Sequence, residues 1–234
     1  IKEPTNPIPF KETEKGIIEF KDVSFKYPDA DEAMLKNISF KATPGTTTAF
    51  IGSTGSGKST LINLIPRFFD ATSGKIYVDG INIKDASVTA LRSRIGYVPQ
   101  KGMLFSGTIK SNLMLGNDYL TDEEMITAAR VSQSLDFIKS KKGEFDSPIS
   151  EGGSNVSGGQ KQRLSIARAI AKNPEIYIFD DSFSALDFKT DATLRKALFK
   201  HAKDATILIV AQRISTIMNA DNIIVCLLYT SDAA

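Results

Sequence analysis

From Gly16 onward the chain alternates short apolar runs with polar breaks, and the spacing of those runs assigns most of its elements. Stretches 17–20, 23–25, 38–40 and 46–51 are rich in Ile, Val, Phe and Thr and read as strands, the last following the Pro44-Gly45 turn. Residues 76–78 and 81–83 are joined by Asp79-Gly80, two residue types that tolerate the positive φ of a tight hairpin. In the middle of the chain the period changes. Thr121 with Glu124 three residues on forms a capping box, and Met125, Ala128 and Ala129 follow at helical spacing. A second helix is expected from about 160 to 171, with Leu164, Ala167 and Ile170 on one face and Pro174 ending it. Runs 176–179 and 206–211 are strongly apolar throughout and are separated by a helix near 192–202. Strands without alternation are buried on both faces, which requires a parallel sheet covered by helices.

These patterns divide the chain into an extended connector over 1–15, carrying Pro4, Pro7 and Pro9, and a domain over 16–225 with a helical insert at about 101–172. Composition agrees: 234 residues, 41% hydrophobic and 24% charged, make one globular domain and exclude disordered and collagen-like classes. No stretch approaches the roughly 18 consecutive apolar residues of a membrane-spanning helix. The net charge is only +2, and the densest basic cluster, Lys139, Lys141 and Lys142, is flanked by Asp136 and Glu144, which argues against a nucleic-acid partner. The single cysteine, Cys226, cannot form an internal disulfide and fits a reducing compartment. A chain that starts at Ile1 without Met or a signal-peptide pattern is expected to be part of something longer.

Gly52-Ser53-Thr54-Gly55-Ser56-Gly57-Lys58-Ser59-Thr60 fits GxxxxGK[ST] between a strand and a helical run. Glycines let backbone N–H groups turn toward phosphates, the helix N-terminus adds positive potential, Lys58 reaches the terminal phosphates and the Ser59 hydroxyl suits Mg²⁺. The plainer alternative, a glycine-rich loop before a helix, loses ground once the flanking strand and helix are counted. Such a loop needs a carboxylate at the end of an adjacent strand, and Asp180, closing the run 176–179, supplies it. Asn155-Val156-Ser157-Gly158-Gly159-Gln160 then opens a helix with nothing local to bind.

With these motifs in place, the chain resembles the nucleotide-binding domain of ABC transporters over about 17–225. Its LSGGQ signature appears here with Val156 in the first place. The resemblance implies a P-loop α/β fold with a mixed or parallel core sheet, an N-terminal antiparallel β subdomain and an inserted α-helical subdomain. It implies ATP and Mg²⁺ as ligands, bound in part by Ser59, Gln100 and Asp180. Tyr27 matches the aromatic that stacks on adenine, Gln100 the glutamine linking metal to membrane domain, and Asp187, closing Ser184-Ala185-Leu186, the D-loop. Ser157, Gly158, Gly159 and Gln160 would close over ATP held by the opposite domain of a head-to-tail pair. Residues 104–109 and Glu151-Gly152-Gly153 look like the exporter subclass. That subclass implies transmembrane domains fused upstream and a place at the cytoplasmic face of the membrane.

Two positions depart from the family. Asp181 stands where the catalytic glutamate is usual, and Gln212 where a histidine contacts the γ-phosphate. One methylene fewer withdraws the carboxylate by about 1.5 Å. An amide cannot carry a proton or a positive charge. With Tyr27, Lys58 and Asp180 retained, this pattern suits the slow half of a heterodimer. A homodimer in which Asp181 serves, and a half that gates without hydrolysing, are the alternatives. His201, the one histidine, lies in a helix away from the matching position. Residues 226–234 do not continue the family pattern and are expected to be a foreign tail, with a divergent C-terminus as the alternative. DNA-maintenance ATPases would need a long coiled coil between Lys58 and the signature. Free-standing importer or translation-factor ATPases lack the 104–109 pattern, and P-loop kinases and GTPases have no use for Ser157-Gly158-Gly159-Gln160.

Overall fold

Ile18, Phe20, Val23 and Phe25 are buried, so the apolar phase slips by one residue between Phe20 and Val23. The sequence therefore reads as two runs, whereas the computed structural model, which describes residues 1–11, 13 and 15–227, shows one bulged strand. Asp22 absorbs the slip at φ 48°, a left-handed conformation that Asp tolerates better than most residues.

In chain order the elements are β1 (Ile18–Phe25), β2 (Leu35–Ala42), β3 (Thr47–Ile51), α1 (Lys58–Leu64), β4 (Ser73–Val78), β5 (Ile81–Asn82), α2 (Val88–Ser93) and β6 (Ile95–Val98). The middle of the chain supplies β7 (Gly107–Thr108), α3 (Ile109–Leu113), α4 (Asp122–Val131), α5 (Leu135–Lys139), β8 (Pro148–Ile149) and α6 (Gly158–Ala171). The last part holds β9 (Ile176–Asp180), α7 (Phe188–His201), β10 (Thr206–Val210), α8 (Ile214–Ile217) and β11 (Asn222–Val225).

Two main sheets result. An antiparallel sheet has the order β2-β1-β4-β5, and a parallel one the order β11-β3-β10-β9-β6. Asp79 and Gly80, at φ 50° and 75°, make the expected hairpin turn between β4 and β5. The Asp79 carboxylate accepts the Ile17 N–H at 2.8 Å and pairs with Arg94, which also pairs with Glu175. This partly buried ion cluster joins the antiparallel sheet to the parallel one.

The parallel sheet lies between two apolar clusters. Ile176, Ile178, Leu208 and Val210 pack with α1 and the antiparallel sheet, while Tyr177, Phe179, Ile207 and Ile209 pack with helices of the middle segment. Burial on both faces is why β9 and β10 show no polar alternation. Helices α4 and α6 each begin with a capping box, at Thr121/Glu124 and Ser157/Gln160.

Residues 1–11 form no regular element and lie along the domain. Ile8 donates its N–H to Asp85, Glu3 accepts the Val88 N–H, and the Phe10 ring lies under the Arg94 guanidinium. The tail expectation for 226–234 falls, apart from Cys226 and Leu227, outside the described residues. Among the described residues, no helix is long and apolar enough to cross a membrane.

Candidate nucleotide site

Parallel strands deliver their C-terminal ends to one edge of a sheet, and four of those ends carry the expected chemistry here. Beyond β3 comes the phosphate loop, beyond β9 Asp180 and Asp181, beyond β10 Gln212, and beyond β6 Gln100. Val210 pairs in register with both Phe50 and Asp180, which sets the loop, the carboxylates and Gln212 side by side. A cavity of about 210 Å³ opens among them, lined by Thr54, Gly55, Gly57, Lys58, Ser59, Thr60, Gln100, Asp180, Asp181 and Gln212 with Met34 and Val210.

The loop's backbone explains its glycines. Gly52, Gly55 and Gly57 have φ 150°, 84° and 86°, and a Cβ on Gly52 would stand 2.8 Å from the Ser56 hydroxyl. The Lys58 ammonium donates to the Gly52 and Ser53 carbonyls at 2.8 and 2.7 Å and to the Ser56 hydroxyl at 3.3 Å. Lys58 is therefore braced from below at the N-terminus of α1, where backbone N–H groups and cation favour an anion.

The Ser59 hydroxyl donates to Asp180 Oδ1 at 2.8 Å, which leaves its lone pairs for a cation. Gln100 Nε2 donates to Asp181 Oδ2 at 3.1 Å, which leaves its amide oxygen available as well. Hydroxyl, carboxylate and amide oxygens are the hard donors Mg²⁺ prefers, and Mg²⁺ commonly takes only one or two carboxylates with the rest from phosphate and water. The residues present thus fit Mg²⁺ held by Ser59, Asp180 and Gln100. Bound there, the ion would neutralise phosphate charge.

Burial pushes the Asp180 carboxyl up from its ordinary value, against the Ser59 and Tyr97 hydroxyls, which favour the ionised form. A raised carboxyl favours the protonated state of the fold. Its contribution is complete at acid pH and is lost as pH rises through the folded value. Without nucleotide, Asp180→Asn should therefore melt no lower than wild type at pH 7.5, and the difference should shrink toward pH 4. A clearly less stable variant at pH 7.5 in scanning calorimetry would contradict this.

Asp181, at φ 46°, donates its N–H to the Val210 carbonyl. Its Oδ2 accepts both Gln100 Nε2 and Gln212 Nε2, the latter at 3.0 Å. The two positions that depart from the family pattern are thus in direct contact. Tyr27 does not line the cavity. It stands edge-on to Phe25 and Phe69, and its hydroxyl lies 3.0 Å from the Thr60 hydroxyl on α1. Ser157, Gly158, Gly159 and Gln160 open α6 at an exposed surface outside the cavity, and Asp187 caps α7 by accepting the Thr190 N–H. Within this one chain the signature and the phosphate loop therefore do not share a site.

Three contributors escaped the sequence reading. Met34, just before β2, lines the cavity and carries no motif. Gln162, buried in α6, donates to the Pro99 carbonyl and accepts the Gly102 N–H, bracing both flanks of Gln100. Its signal was a polar residue beside the apolar face of a helix. The buried Ser182 hydroxyl donates to Val98, tying the end of β9 to β6. A larger cavity of about 380 Å³ lies beside His201, but Glu123 and Glu124 line it, the wrong charge for a nucleotide.

Residues 35–184 match the ABC transporter family, and the chain belongs to that family as an ATP-binding domain. It is similar to multidrug export ATP-binding/permease proteins from several strains of Staphylococcus aureus, at 49% identity over 214 residues. That match covers 92% of this chain and 37% of theirs. A solved structure, described as a bacterial Atm1-family ABC exporter with ATP bound, superposes with a TM-score of 0.91 at 35% identity, over 98% of this chain and 40% of that one. The chain thus spans about two-fifths of the length of these relatives, and its mixed α/β architecture is that of ABC ATPases.

Proposed function

We propose that this domain binds Mg²⁺ and ATP and powers export across a membrane as one half of a head-to-tail pair, with its own site slow. The slow site is read from one observation: Gln100 and Gln212 both donate to the same oxygen of the shortened carboxylate, Asp181. Neither amide can accept a proton from water, and the carboxylate that could is held back against them.

The pair is supported by the opposite feature, an intact signature with nothing to act on in its own chain. A side chain built at Gly158 would meet nothing within 4 Å, so no contact in this domain demands glycine there. A second domain packing its nucleotide against Ser157, Gly158 and Gln160 does. Transmembrane domains in the same polypeptide, and a position at the cytoplasmic face, belong to the same reading and are supported by relatives that join ATP-binding and permease parts. A partner with glutamate and histidine at the positions of Asp181 and Gln212 would make the pair a heterodimer.

Turnover by the full-length chain without a partner half decides between this and a homodimer. The chain should bind ATP and hydrolyse it well below roughly 1 s⁻¹. An ordinary rate of about 1–100 s⁻¹ from the chain alone would establish the homodimer and end the slow-site reading.

A further inference from the structure

Asp180 is held on both oxygens by hydroxyl groups, and only one of the two belongs to the phosphate loop. Ser59 holds Oδ1. The Tyr97 hydroxyl lies 3.4 Å from Oδ2 and 2.9 Å from Asn63 Oδ1. Ser59 and Asn63 are four residues apart on α1, so they lie on one helical face. That face holds one carboxylate oxygen directly and reaches the other through the phenol.

A tyrosine hydroxyl has one proton and here meets two acceptors. Turning the Asn63 amide places its NH₂ toward the phenol, so that Asn63 donates to Tyr97 and Tyr97 donates to Asp180. The carboxylate charge favours this order, because an ionised acceptor makes the stronger bond to the phenol. The ring itself is fixed. It stands edge-on to Phe68 with centroids 5.4 Å apart, and Phe68 lies under Arg92, whose guanidinium donates to the Pro66 and Arg67 carbonyls.

We propose that Tyr97 is a positioning residue for the metal-binding carboxylate of Asp180, itself oriented by Asn63. The terminal torsion of an aspartate is soft. A carboxylate tethered at Oδ1 alone can swing its second oxygen away, whereas one tethered at both presents a fixed edge to a cation. Tyr97 thereby acts on the site through Asp180 without itself lining the cavity.

This rests on the Mg²⁺-ATP reading above, and the test separates the two. In the full-length chain, ATP binding is titrated calorimetrically in EDTA and then against Mg²⁺. Tyr97→Phe should leave binding in EDTA unchanged and raise the half-saturating Mg²⁺ by about threefold to tenfold, the worth of one ordinary hydrogen bond, as befits a contact of 3.4 Å. Asn63→Ala should shift it in the same direction by less, and covers the case in which Tyr97→Phe fails to fold. An unchanged Mg²⁺ midpoint in a folded variant overturns the proposal. Equal losses with and without Mg²⁺ overturn it too, since they mark a merely structural role. Wild-type binding indifferent to Mg²⁺ overturns both this and the reading beneath it.

Discussion

Lys58→Ala should lower ATP affinity by about 100-fold or more while the domain still folds. Lys58 is the only cation lining the phosphate cavity among the described residues, and its ammonium is held in place by two carbonyls and a hydroxyl. Charge-assisted hydrogen bonds contribute about 1.5–3 kcal/mol each, and two to the phosphates amount to roughly 10²–10⁴ in affinity. The substitution also leaves the Gly52 and Ser53 carbonyls without their donor, so the loop loses its brace as well as its charge. Calorimetric titration with ATP measures the loss, and circular dichroism checks the fold. A loss of less than about fivefold would show that backbone N–H groups, not the ammonium, carry the binding.

The second large effect runs the other way. Asp181→Glu combined with Gln212→His should raise ATP turnover by about 100-fold in an assembled dimer that supplies an opposing signature. The longer side chain restores roughly 1.5 Å of reach, and misplacement of about 1 Å can cost on the order of 100-fold. The imidazole replaces an amide donor with a group able to carry charge. Because Asp181 and Gln212 are hydrogen-bonded, their effects should not add, and each single variant should recover less than half of the logarithmic gain. Steady-state phosphate release measures all three. No gain in the double variant would mean that the slow-site reading has the wrong cause.

Much of this was legible in the chain. The Asp79-Gly80 turn, the Thr121/Glu124 cap, the α6 and α7 helices and the unalternating β9 and β10 are local patterns, each with its own stereochemical cause. The glycine-rich turn from Gly52 to the start of α1 and the place of Asp180 at a strand end were equally legible, because glycines at set spacings between strand and helix are a local pattern. Met34, Gln162 and Tyr97 were not. Each matters through groups distant in sequence, and the one local trace was the polar Gln162 beside the apolar face of α6. The bulge at Asp22 was visible only as a break, since a phase slip in one strand has meaning only against its partner.

The sequence by itself determined the elements and the chemistry they carry: strands from burial on two faces, helices from caps and period, a phosphate cradle from glycine, lysine and serine. Tertiary structure decided which of those groups meet. Parallel pairing of β3, β10, β9 and β6 brought Asp180, Asp181, Gln212 and Gln100 to one edge and put Gln212 against Asp181. It also left the signature on a surface of its own. Local stereochemistry is written residue by residue, whereas contact between strand ends depends on strand order, which only the burial of the whole sheet selects.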